Sequence, residues 1–134
     1  MKKILVVEDN HIIRENIIEI LYAFGYDPII AENGLEALSK ASTNLIDLVI
    51  SDIMMPEMDG YEFFRRFNEL YSDYHHIPFI FLTAKTDENE IRKGMNLGVD
   101  YYLTKPFKVN DLIDTIKASF TKKWKTKKIR LTAV

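Results

Sequence analysis

Three carboxylates, a hydroxyl and an ammonium group stand just past four short apolar runs of this sequence. Glu8 and Asp9 follow ILVV (4–7), Asp52 follows LVI (48–50), Thr83 follows PFIFL (78–82), and Lys105 follows YYL (101–103). If the chain gathers these ends, the three carboxylates repel one another unless a cation sits among them. An all-oxygen set with room for water suits Mg²⁺, which prefers octahedral geometry and keeps several waters. A carboxylate can also act as a nucleophile that carries a phosphoryl group as an aspartyl phosphate. Such a transfer needs mainly positioning and neutralisation of the equatorial oxygens. Mg²⁺ and Lys105 would supply positive charge, and the Thr83 hydroxyl a hydrogen bond.

The elements between these residues must do the gathering. Ile4–Val7 is a continuous, β-branched-rich run, as expected of a strand buried on both faces. Ile13, Ile17, Ile20, Leu21 and Phe24 then share one helical face, which Gly25 can close. Pro28–Ala31 predicts a second strand, and Asn33 caps a helix carrying Leu35, Leu38 and Ala41. Leu48–Ile50 is a third strand. Asp59 with Glu62 has the spacing of a capping box, opening a helix through Phe63, Phe67 and Leu70. Pro78–Leu82 is a fourth strand, and a helix from about Asp87 to Leu97 ends at Gly98. Tyr101–Leu103 is a fifth strand, and Leu112, Ile113, Ile116 and Phe120 mark a last helix. Five strand-then-helix repeats require crossover connections, so the expected fold is a doubly wound α/β domain with a central parallel sheet. In such sheets ligands bind beyond the carboxyl ends of the strands, where the five polar residues fall.

Composition narrows the function. The 134 residues fit one domain, and 47% apolar content allows a substantial core. There is no cysteine, which excludes disulfides, thiol catalysis and cysteine-ligated zinc. Four apolar residues after Met1-Lys2-Lys3 are too few for a signal-peptide core or a membrane span, so a cytoplasmic protein is expected. The net charge of −2 conceals an asymmetry: residues 122–130 (KKWKTKKIR) hold six basic groups and no acid, against twelve basic and twenty acidic groups elsewhere. An acidic body with a basic tail argues against a nucleic-acid-binding core.

VVEDN (6–10), SDIMMPEMDGYEF (51–63), FLTAK (81–85) and DYYLTKPF (100–107) resemble, in order and register, the receiver domain of two-component response regulators. The likeness spans about residues 1–121 and leaves 122–134 as a basic tail that prolongs the last helix. It implies a (βα)5 fold with flavodoxin-like strand order 2-1-3-4-5. It implies Asp52 as phospho-acceptor, a sensor histidine kinase or phosphotransfer protein as donor, and Mg²⁺ held by Glu8, Asp9, Asp52 and the backbone carbonyl of Met54. It implies further that Thr83 and Lys105 bind the phosphoryl oxygens and that the Lys105–Pro106 bond is cis. Tyr102, three residues before the lysine, takes the place of an aromatic that swings inward as the threonine moves to the phosphate, remodelling the 87–120 face. Met54 and Lys85 stand where the family tunes phosphate lifetime. By this likeness the chain is a signalling module rather than an enzyme, catalysing only its own phosphorylation and dephosphorylation. It would control an output partner that the sequence leaves unnamed, with a homodimer through the 87–120 face as one mode.

Other residues read as structure. Asp59 and Gly60 serve the helix start, Pro56 shapes the turn after Asp52, and Asp47 and Asp100 lie at the far ends of strands. His11, His75 and His76 lack metal-ligand spacing, although His11 lies near the site; Phe63, Phe64, Phe67, Tyr71 and Tyr74 read as packing. Rival functions fare worse. An aspartyl phosphatase of the haloacid-dehalogenase type needs a second acid two residues after the nucleophile, where Met54 stands. The five glycines form neither GxGxxG nor GxxxxGK. The tail is either a solvated helix end or a contact segment, and no helix-turn-helix follows to support direct DNA binding.

Overall fold

Every expected strand and helix is present in the computed structural model, which describes residues 1–71, 77–84 and 88–133, with the backbone alone for 90 and 122–133. In chain order these are β1 (Lys3–Val7), α1 (His11–Ala23), β2 (Asp27–Ala31), α2 (Gly34–Thr43), β3 (Leu48–Asp52), α3 (Gly60–Tyr71), β4 (Phe79–Thr83), α4 (Glu88–Asn96), β5 (Tyr101–Thr104) and α5 (Val109–Ala133). The strands form one parallel sheet in the order 2-1-3-4-5.

Alternation along the strands divides the core in two. Leu5, Val7, Val49, Phe79 and Phe81 face one layer, where Ala37 and Ala41 of α2 and Phe63, Phe64 and Phe67 of α3 cover them. Ile4, Val6, Leu48, Ile50, Ile80 and Leu82 face the other, beneath Ile17, Ile20 and Leu21 of α1 and Leu112, Ile113 and Ile116 of α5. The central strands β3 and β4 are buried at every residue, whereas β2 and β5 are partly open at the edges. The first layer is aromatic: Phe79 packs against Phe63, Phe64, Phe67 and Phe81 at centroid distances of 4.8–5.8 Å. Each such pair contributes about 0.5–1.5 kcal/mol beyond area burial.

Caps hold the helix starts in register with the strand ends. Asn10 Oδ1 accepts from the Ile12 and Ile13 amides, and Asn33 Oδ1 from Glu36. Asp59 Oδ1 accepts from the Glu62 amide, but the Glu62 carboxylate turns away to Arg65 and Arg66. The expected capping box is thus half formed. Gly25 and Gly98 follow α1 and α4 with φ of 82° and 91°, left-handed positions that glycine takes without strain. Two boundaries differ from the sequence reading. Asp52 and Thr83 are the last residues of their strands rather than the first beyond them, because each pairs across the sheet, with Leu82 and Thr104.

Candidate functional site

The sheet order reverses between β1 and β3, opening a crevice at their carboxyl ends. Glu8 leaves β1 into this crevice with its amide fixed to the Ala31 carbonyl (3.1 Å). Asp52 ends β3 beside it, and Lys105 reaches across from β5. Lys105 Nζ donates to Glu8 Oε1 at 2.8 Å and lies 3.4 Å from Asp52 Oδ2. Its backbone amide donates to the Thr83 carbonyl (2.8 Å), which ties the lysine to the end of β4. The Lys105–Pro106 bond is cis, as the resemblance implied.

Burial sets the electrostatics. Glu8 is fully buried and Asp52 and Thr83 nearly so, while Asp9 is exposed. Desolvation raises the Glu8 pKa above the ordinary glutamate value, and the Asp52 charge adds to this against the opposing pull of Lys105 and the Asn10 amide. For Lys105, burial alone would lower the pKa. The hydrogen bond to Glu8 and the charges of Asp52 and Glu8 outweigh burial, and the net shift is upward. The ammonium therefore stays charged, yet it does not fully compensate the carboxylates around it.

The donor set fits a divalent cation. Carboxylate oxygens of Glu8, Asp9 and Asp52 all lie within 4.8 Å of one another. Ligands of an octahedral Mg²⁺ stand about 3 Å apart when adjacent and about 4.2 Å when opposite, so the three carboxylates would draw closer together to share one ion. The helix cap falls to Asn10, which leaves the Asp9 carboxylate available to the crevice.

The loop after Asp52 is tightly wound. Glu57 has a φ of 68°, and the Met58 amide donates to the Pro56 carbonyl around it (2.8 Å), a γ-turn of the strained hand. The Gly60 amide then returns to the Ile53 carbonyl (2.8 Å). A Cβ on Gly60 would sit 2.5 Å from the Asp52 carbonyl oxygen and 2.8 Å from Ile53 Cα. Gly60 is structural, as expected, but it shapes the backbone of Asp52 itself. Met54 projects from this loop and is 64% exposed.

Tyr102 stands on β5 opposite Phe81, with ring centroids 5.8 Å apart. Its hydroxyl lies 3.2 Å from that of Tyr61. Asp47 and Asp100 do lie at the far ends of strands, accepting from the Lys3 and Phe79 amides (2.8 Å each). His11 is an exposed helix start. Lys85, Tyr74, His75, His76 and the expected helix start at Asp87 lie outside the described residues.

One neighbour of the site escaped the sequence reading. Arg14 donates to the Glu8 carbonyl (2.8 Å) and approaches Glu32 at 3.6 Å, linking α1 to the ends of β1 and β2. A signal existed: an arginine in the first turn opposes the helix dipole, so a tertiary partner was to be sought.

Comparisons agree with this geometry. Residues 4–117 match the family described as response regulator receiver domain. The alkaline phosphatase synthesis transcriptional regulatory protein PhoP of Bacillus subtilis is 39% identical over 117 residues, 87% of this chain and 48% of that protein. The probable transcriptional regulator ycf29 of Porphyra purpurea is 40% identical over 114 residues, 85% of this chain and 54% of that protein. The chain thus spans about half the length of these curated relatives. Among solved structures, chemotaxis protein CheY4 of Vibrio cholerae superposes with a TM-score of 0.83 at 34% identity, covering 89% of this chain and 98% of that one. The receiver domain of a sensor histidine kinase from Pseudomonas aeruginosa has a TM-score of 0.79 at 28% identity, covering 88% and 96%; it holds a magnesium ion in its active-site cleft. Sequence match, sheet order and the acidic crevice converge on one assignment: the chain belongs to the receiver domains of two-component response regulators.

Proposed function

We propose that Asp52 accepts a phosphoryl group from the phosphohistidine of a sensor histidine kinase or phosphotransfer protein. The observation that carries this reading is the crevice in which Glu8, Asp9 and Asp52 converge while Lys105 bridges two of them. An Asp52 carboxylate oxygen forms the new P–O bond as the P–N bond to the donor histidine breaks, and the imidazole leaves with the bonding electrons. Glu8, Asp9, Asp52 and the Met54 carbonyl would hold Mg²⁺, which supplies charge neutralisation to the equatorial oxygens. Lys105 would pair with one phosphoryl oxygen, and Thr83 would offer its hydroxyl to another.

The new phosphate adds roughly −1.5 to −2 of charge. Lys105 then exchanges Glu8 for phosphate, Thr83 moves toward it, and Tyr102 follows, remodelling the surface of residues 87–120. Residues 1–121 form the receiver, and 122–134 a basic tail on the last helix. The output is a partner that reads the remodelled face, or a second copy paired through it. Among the described residues no helix is long and apolar enough to cross a membrane. A chain without cysteine suits a reducing, cytoplasmic setting.

Incubation with acetyl phosphate, followed by intact-mass measurement, tests the chemistry. One phosphoryl group per chain is expected with Mg²⁺ and none with a chelator in excess. Uptake undiminished by the chelator contradicts the cation's role. The Ala84 and Tyr102 amides test the switch: both NMR shifts move on phosphorylation, and shifts that stay put contradict it.

A further inference from the structure

Gly94 is an odd residue for its place. It lies within α4, it does not have the positive φ of Gly25 and Gly98, and its carbonyl accepts from the Leu97 and Val99 amides. Glycine is a poor helix former, and here backbone freedom is not what it supplies. What it supplies is space. A Cβ at this position would stand 1.2 Å from Tyr102 Oη, 2.5 Å from Tyr102 Cζ and 2.9 Å from Tyr61 Cε1. Two of these atoms belong to rigid rings, so a small rotation of a flexible chain end does not relieve the overlap.

Three elements meet at this notch. The Tyr102 ring from β5 enters it, packed at 5.8 Å against Phe81. Tyr61 from α3 stands edge-on to the same Phe81 (5.3 Å, 87°) and meets the Tyr102 hydroxyl at 3.2 Å. Lys93, the residue before Gly94, places its ammonium 5.3 Å above the Tyr61 ring. Successive residues of α4 thus cover the two tyrosines, one by a cation–π contact and one by having no side chain.

We propose that Tyr61 and Gly94 are positioning residues forming a latch that holds the Tyr102 ring seated beneath α4. The latch sets the balance between a seated and a released ring through contacts that lie outside the Asp52 crevice. Gly94→Ala closes the seat and drives the ring outward. Tyr61→Phe keeps the packing but removes the hydroxyl contact, so the ring is held less firmly. Its use in signalling rests on the proposed switch role of Tyr102; the latch itself rests only on the notch and the hydroxyl pair.

The test combines stability with ring position. Gly94→Ala is expected to lower the melting midpoint when Tyr102 is present. In a Tyr102→Ala background most of that loss disappears, because only Tyr61 Cε1, at 2.9 Å, still crowds the new methyl and alanine favours the helix. NOEs from the Tyr102 ring to Gly94 Hα and to the Tyr61 ring are expected in the unmodified protein. Ring contacts to position 94 are lost in Gly94→Ala and weakened in Tyr61→Phe, while both variants still take up one phosphoryl group at Asp52. A Gly94→Ala loss of equal size in both backgrounds, or a ring that keeps its contacts in that variant, overturns the latch. If the latch behaves as described while phosphorylation leaves Tyr102 in place, the latch stands and the switch reading fails.

Discussion

Lys105 Nζ and Glu8 Oε1, separated by 97 positions in the chain, are 2.8 Å apart at the carboxyl end of the sheet. The contact joins the ends of β5 and β1 across β3 and β4, beside Asp52. It is also an imperfect compensation, since Glu8 stays buried with a raised pKa despite the ammonium.

Replacing Lys105 by Met removes the ammonium and leaves the buried Glu8 carboxylate without its counter-ion, held by the Asn10 amide (3.2 Å). A loss of about 1–3 kcal/mol near neutral pH is expected. Because Glu8 already titrates above its ordinary value of 4.5, the folded state binds its proton more tightly than the unfolded chain. That contribution is fully present below 4.5 and fades as pH rises through the folded value. The variant's deficit should therefore shrink toward pH 4.5 and grow above it. Urea titrations at several pH values check this; a pH-independent deficit contradicts it.

Mg²⁺ should stabilise the fold by mass action, by about 2.7 kcal/mol when free ion exceeds its Kd 100-fold. Asp9 is exposed and the helix cap belongs to Asn10, so Asp9→Asn leaves the metal-free midpoint near that of the unmodified protein. The Mg²⁺-induced rise should largely vanish in this variant. Thermal melts with and without the ion decide the point.

Gly60→Ala forces a Cβ to within 2.5 Å of the Asp52 carbonyl unless the loop shifts. Overpacking of this kind costs roughly 1–3 kcal/mol. Phosphate uptake should fall with it, since the displaced backbone is that of the acceptor. Gly25→Ala is the control: strained by its φ of 82° but with nothing near its Cβ, it should lose stability without slowing uptake.

Arg14→Gln should cost about 1–2 kcal/mol through the lost charge-assisted bond to the Glu8 carbonyl. Glu32→Gln should change little, because Glu32 is largely exposed and 3.6 Å away. Equal losses in denaturant titrations would assign the role to the ion pair instead.

The fold was legible where local signals agree with the sheet. Continuous runs such as Ile4–Val7 and Phe79–Leu82 are buried on both faces and read as parallel strands without ambiguity. Asn33 and Asp59 marked helix starts correctly because capping is a contact over three residues. The strand ends then named Glu8, Asp9, Asp52 and Lys105, since a parallel sheet carries all its carboxyl ends to one rim. What stayed hidden depends on tertiary contact. Asp9 and Asn10 are both good caps, and only the loop's path assigns the cap to Asn10. Arg14 meets the Glu8 carbonyl through the angle at which α1 leaves β1. Nothing near Gly94 in sequence announces that Tyr61 and Tyr102 arrive there from two other elements.

The central claim is that Asp52 receives the phosphoryl group. Intact-mass measurement after acetyl phosphate and Mg²⁺, on the unmodified chain beside Asp52→Asn, tests it most directly. One added phosphoryl group on the former and none on the latter is the predicted result; equal uptake by both contradicts the assignment.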